Sequence, residues 1–169
     1  MSPRSAGSRG WGAARPIIFL SVLLCSAPAA QDGLLKNWFN DPFFAIADGM
    51  PGCPRPRGPL LTETEMKAES HSRAERGTSC WMAGTCKKPN AYLFDAAIAS
   101  EIRARVPPYP DDSLWITVQR RWVWVDGCVA DASRAAELEA LLKSVPDVEH
   151  VLVNVMQGTN GKPPYRTLP

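Results

Sequence analysis

A chain of 169 residues with 45% hydrophobic and 21% charged side chains is long enough to bury one core, and it carries 19 basic against 17 acidic groups. That near-balance excludes a nucleic-acid binder, whose affinity would rest on a clustered basic excess. The elements are read below in chain order.

Residues 1–29 read as a secretory signal peptide. Arg4, Arg9 and Arg15, with no acidic residue among them, precede an apolar run from Pro16 to Ala27 and the small-x-small site Ala27-Pro28-Ala29. The run is shorter than the roughly 20 apolar residues a membrane span needs. Cys25 lies within it, but Leu24 stands where a lipoprotein signal needs a small residue. Cleavage after Ala29 leaves 140 residues with 16 basic and 17 acidic groups, a balance of −1. Export implies an oxidising compartment, so Cys53, Cys80, Cys86 and Cys128 are disulfide candidates. Four cysteines allow three connectivities, and all three stay open. The five-residue gap between Cys80 and Cys86 does not fit zinc ligands, even with His71 nearby, so no metal is expected.

Residues 30–90 read as an extension. Its first part holds Trp38, Phe39, Phe43 and Phe44 with no long period. Four prolines among residues 51–60 then deny that stretch a helix or a central strand and make it an extended connector. Thr62-Glu63-Thr64-Glu65 is a capping-box pattern, and Gly77 suits the end of the polar helix that follows. Its faces are nearly all polar, which predicts a surface helix. Residues 78–90 read as a loop pinched by Cys80 and Cys86.

From Tyr92 the pattern is that of a packed domain. Leu93, Ala96, Ala97, Ile98, Ile102 and Val106 recur at helical spacing until Pro107-Pro108. Leu114–Gln119 and Trp122–Val125 alternate as strands, with only Arg120-Arg121 between them, which predicts a tight hairpin. A second helix spans Ser133 to Lys143 with Ala135, Leu138, Leu141 and Leu142 on one face. A third strand runs from Val148 to Met156, and residues 158–169 read as a flexible tail.

The order helix–strand–strand–helix–strand, with Val118, Val123-x-Val125-x-Gly127-x-Val129 and Pro146-x-Val148-x-x-Val151-x-x-Asn154, makes residues 91–157 resemble the BON domain of bacterial osmotically inducible and nodulation proteins. The resemblance implies an α+β fold, α-β-β-α-β, with a three-stranded sheet and two helices on one face, here joined to a disulfide-tied N-terminal extension. It also implies a role in the periplasm, in association with the outer membrane or with phospholipid, of the kind linked to osmotic stress. Two positions depart from the pattern. Arg120-Arg121 stands where the family places Asn-Gly, which should strain a two-residue turn or lengthen it. Asp147 stands where the family has glycine, and Asp tolerates a left-handed backbone better than most residues.

Strand parity sharpens the functional expectation. Ile116, Val118, Val123 and Val125 share one side, with Val151, Val153 and Val155 able to join them, and both helices should cover that side. A two-residue turn sets Val118 opposite Val123 and Thr117 opposite Trp124. The other side then carries Trp115, Thr117, Trp122 and Trp124. An uncovered patch of tryptophans marks a contact site, and indole rings favour the bilayer interface. Arg120, Arg121, Trp115, Trp122 and Trp124 are therefore the candidate residues for contact with a phospholipid surface or, alternatively, with an envelope protein. The competing use of the face is cover by the extension, whose aromatics need burial and which Cys128 could tie down through a disulfide. Both stay open. Residues 91–157 hold six basic and ten acidic groups, whereas residues 51–90 hold seven and four, so attraction to an anionic surface falls to the extension and the hairpin tip. His71 and His150 are the only histidines, and no nucleophile, metalloprotease or phosphate-loop motif is present. No enzyme, catalytic residue or cofactor is expected.

Overall fold

Alternation of apolar and polar residues between Ser113 and Val129 builds the centre of the sheet. The computed structural model describes residues 33–168. Among them β1 (Phe43–Asp48) is followed by α1 (Glu63–Glu75), the single turn α2 (Ser79–Met82) and a 3-10 turn, Ala91–Phe94, that runs into α3 (Asp95–Arg105). Then come β2 (Ser113–Gln119), β3 (Trp122–Val129), α4 (Arg134–Lys143) and β4 (His150–Gln157). The result is a mixed α+β fold on one four-stranded sheet in the order β1-β2-β3-β4.

The hairpin register is the expected one, with Val118 opposite Val123 and Thr117 opposite Trp124. β4 runs parallel to β3, and α4 supplies the crossover that a parallel pair requires. Leu114, Ile116, Val118, Val123 and Val125 are wholly buried, and α3 and α4 close over them with Ile98, Ile102, Leu138 and Leu142. Val153 and Val155 pack at the margin of this core.

Three expectations need correction. The sheet has four strands rather than three, because Phe43–Asp48 forms an edge strand antiparallel to β2. Phe44 and Ile46 reach the core while Phe43 pairs with Thr117 on the other side. That alternation is too short to be legible alone, and it is tertiary pairing with the open edge of β2 that makes it a strand. On α3 the buried stripe is Phe94, Ile98, Ala99 and Ile102, whereas Leu93, Ala96 and Ala97 face outward. The large residues four apart set the stripe, and the alanines have too little surface to compete. Finally, the residues expected as a flexible tail pair with the extension. Thr167 bridges to Pro56, and the Arg57 N–H donates to the Arg166 carbonyl at 2.8 Å.

The capping box forms as read. The Glu65 N–H donates to Thr62 Oγ1 at 3.2 Å, and the Thr62 N–H donates to Glu65 Oε2 at 2.9 Å. Gly77 follows the helix at a left-handed φ of 69°. The expected signal peptide and Cys25 lie outside the described residues.

Candidate functional site

The hairpin keeps a two-residue turn despite its sequence. Arg120 and Arg121 both take positive φ, 51° and 69°, the conformation that Asn-Gly adopts more easily. Asp95, the first residue of α3, offsets the strain. Its carboxylate accepts the Arg120 N–H at 2.7 Å and the Arg121 N–H at 2.8 Å. Burial pushes the Asp95 carboxyl up in pKa, while these two bonds pull it back.

The arginine side chains turn inward. Arg120 donates to the Ala74 carbonyl at 2.9 Å and to the Arg76 carbonyl at 3.1 Å, satisfying acceptors that the end of α1 leaves open. Its remaining nitrogen donates to Asn90 Oδ1 at 3.0 Å. Arg121 is buried and donates to the Asp147 carbonyl at 2.8 Å, to Glu149 Oε2 at 3.1 Å and to Cys80 Sγ at 2.9 Å. The pair expected to reach out to a surface is thus occupied within the protein. A buried guanidinium is tolerated only with its donors met, and for Arg121 the loop before β4 and the extension together supply the acceptors.

The tryptophan face is covered in the same way. Trp115 is 7% exposed, and Trp122 and Trp124 are half-buried. Arg76, the residue just after α1, lies against two of them. The Arg76 guanidinium stands 5.8 Å from the Trp122 ring and 5.6 Å from the Trp124 ring, and it donates to Gln119 Oε1. Arg73 is buried against Asp41 at 2.8 Å, and Asp41 also accepts the Gln119 amide at 3.1 Å. A helix with no apolar stripe is therefore anchored by two arginines. Its sequence held that signal only in the three-residue spacing of Arg73 and Arg76. The Cys53–Cys128 disulfide, with 5.8 Å between Cα atoms, fastens the connector to the same face. Cover by the extension is the use of the face that the fold realises.

What remains open to solvent lies elsewhere. Cys80 and Cys86 are joined to each other. Between them Trp81 is 64% and Met82 is 83% exposed, and Leu34 apart no large apolar side chain among the described residues is as open as Met82. Lys87 follows with most of its side chain in solvent, 3.9 Å from Asp147. Lys88 is folded back, donating to the Leu93 carbonyl at 2.8 Å. Tyr92 and Leu93 are exposed just beyond. Sequence reasoning saw the pinched loop and passed over its contents. The available signal was a Trp-Met pair inside a short disulfide loop, where nothing can bury it. Of the two histidines, His71 is exposed on α1 and His150 packs tilted against Trp122, with ring centroids 4.7 Å apart.

Comparisons of the chain with protein-family models, with curated proteins and with solved structures find no match.

Proposed function

We propose that this chain is a non-enzymatic binding protein of the bacterial envelope, built on a BON-type domain, that attaches to phospholipid at the periplasmic membrane surface through the Cys80–Cys86 loop. The observation that carries this reading is the exposure of Trp81 and Met82 on a loop closed by a disulfide. An indole ring is favoured at the bilayer interface, where its body is apolar and its N–H stays wet. Closing the loop covalently lowers the ordering cost of holding both side chains out together. Lys87 follows Cys86 with most of its side chain in solvent, 3.9 Å from Asp147, and a cation near an anionic surface contributes about 1 kcal/mol. Two disulfides support an oxidising compartment. The contact moves from the hairpin tip to the loop because Arg120 and Arg121 are already engaged.

The test is co-sedimentation of the oxidised chain from Ala30 onward with neutral and with anionic vesicles over a salt series, beside the variant Trp81→Ala/Met82→Ala. Both substitutions touch exposed side chains, so the thermal midpoint of the variant should match that of the parent. Binding that needs anionic lipid, weakens with salt and drops in the variant supports the reading. Absence of sedimentation with either vesicle at low salt sinks it and favours an envelope protein as partner.

A further inference from the structure

On the sheet face opposite α3 and α4, the strands, connector and tail enclose a cleft of about 290 Å³. Trp124, Asp126 and Asn154 form its floor, and Glu69, Arg76 and Tyr165 stand in its walls. The floor follows from register. Asp126 lies between Trp115 on β2 and Asn154 on β4, one cross-strand row away from Trp124. The walls are fixed by the Cys53–Cys128 disulfide and by the Tyr165 hydroxyl, which donates to the Pro54 carbonyl at 2.8 Å. Burial, with the nearby Asp126, holds that phenol up at about 12.

Asp126 is the residue that the fold does not explain. Its Oδ1 accepts the Asn154 amide at 3.0 Å, while its Oδ2 has no partner among the described residues and is not sealed from solvent. Burial raises its pKa. A carboxyl in a sheet costs stability unless its bonds are met, and here half of its capacity opens onto the cleft. The Thr117 hydroxyl, also in the lining, likewise has no partner among the described residues. Charge in the lining is balanced, with Asp126 and Glu69 against Arg76 and Arg166. A strongly charged ligand would lose on one wall what it gains on the other. A neutral molecule rich in hydroxyls does not, because each hydroxyl can donate to Asp126 and accept from Asn154 or Arg76. The indole of Trp124, half-buried with the Arg76 guanidinium 5.6 Å from its ring, still lines the cleft with apolar surface against which the C–H face of a sugar ring can pack. The volume, about 290 Å³, falls just under the roughly 300–1,000 Å³ of ligand pockets, which suits a short saccharide.

We propose that this cleft is a binding site for a neutral saccharide, with Trp124 as the stacking platform and the Asp126–Asn154 pair as the polar anchor. The site is separate from the Cys80–Cys86 loop and does not depend on lipid attachment. The core cluster and both disulfides lie within residues 33–168, so the oxidised chain from Ala30 onward is the material to use. It is titrated with maltose, cellobiose and diacetylchitobiose and followed by proton–nitrogen correlation spectra. The expected result is saturable, millimolar shifts of the Trp124 indole N–H and of the amides of Asp126 and Asn154 with at least one sugar. Asp126→Asn should weaken binding about tenfold, the scale of one hydrogen bond to a charged group. That variant relieves a buried charge and keeps the shape, and its unshifted core resonances establish that it is folded. An unmoved Trp124 indole with every sugar at saturating concentration overturns the proposal, as does equal affinity in Asp126→Asn.

Discussion

The carboxylate of Asp95 accepts the backbone N–H of Arg120 at 2.7 Å, so the first residue of α3 holds the tip of the β2–β3 hairpin in a left-handed turn. The same carboxylate takes the Arg121 N–H, and a turn with poor local propensity becomes a fixed feature. Asp95→Ala leaves both donors without their acceptor. A hydrogen bond to a charged group is worth about 1.5–3 kcal/mol, and the variant should lose about 3 kcal/mol in urea unfolding. Asp95→Asn retains one acceptor oxygen and should lose about half as much. Equal stability of the parent and Asp95→Ala would show that the turn holds without the clamp.

The two disulfides should differ in weight. Cys53–Cys128 spans 75 positions and Cys80–Cys86 spans 6. Loop-closure entropy assigns about 4 kcal/mol to the first and about 2 kcal/mol to the second. Cys53→Ser/Cys128→Ser should therefore lower the denaturant midpoint more than Cys80→Ser/Cys86→Ser does. The first pair should also raise the fluorescence exposure of Trp122 and Trp124, since the extension that covers them loses its tether.

Acid titration should separate Glu65 from Asp126. The Arg57 guanidinium, with the Thr62 N–H, holds the Glu65 carboxyl down at about 2, below its ordinary 4.5. A depressed folded value contributes stability above pH 4.5 that is lost as pH falls towards 2. Glu65→Gln should flatten that limb of the stability curve. Asp126 acts in the opposite sense, since burial lifts it above 3.8 and its charge detracts from stability at neutral pH. Asp126→Asn should unfold at a higher urea concentration than the parent at neutral pH, and the difference should vanish as pH drops below 3.8.

Two glycines with nearly the same backbone make a matched pair. Gly77 and Gly84 have φ of 69° and 67°. A Cβ at Gly77 would stand 2.0 Å from the Arg120 carbonyl oxygen, whereas one at Gly84 would meet nothing within 4 Å. Gly84→Ala should cost about 1 kcal/mol, the left-handed penalty alone. Gly77→Ala adds a backbone clash and should exceed about 3 kcal/mol by thermal unfolding. Similar midpoints for the two variants would mean that α1 can lift away from the hairpin at little cost.

The central hairpin, α4 and the capping box of α1 were legible because each rests on residues close in sequence: period-two alternation, leucines on one face, and Thr62 with Glu65 three positions on. β1 was not, since Phe44 and Ile46 are too few to show a period and need the edge of β2. The candidate site was legible in part. Parity placed Trp115, Trp122 and Trp124 on one face, yet it carried no sign that Arg76 would lie against Trp122 and Trp124. Asp126 shares that parity, and a carboxylate between Val125 and Gly127 was a signal available in the sequence and left unused.

Local patterning by itself determined the elements on either side of the core, the two-residue hairpin and the sidedness of the sheet, because side-chain period and chain stiffness act over a few residues. Only the tertiary structure decided that the extension covers the tryptophans, that Cys53 meets Cys128, and that Arg120 and Arg121 point inward. The inward turn of the two arginines depends on which acceptors lie within about 3 Å of a buried donor, and residues 26 to 46 positions apart in the chain bring those groups together. Burial makes an unmet charge or N–H costly enough to select that arrangement, and no stretch of sequence records the selection.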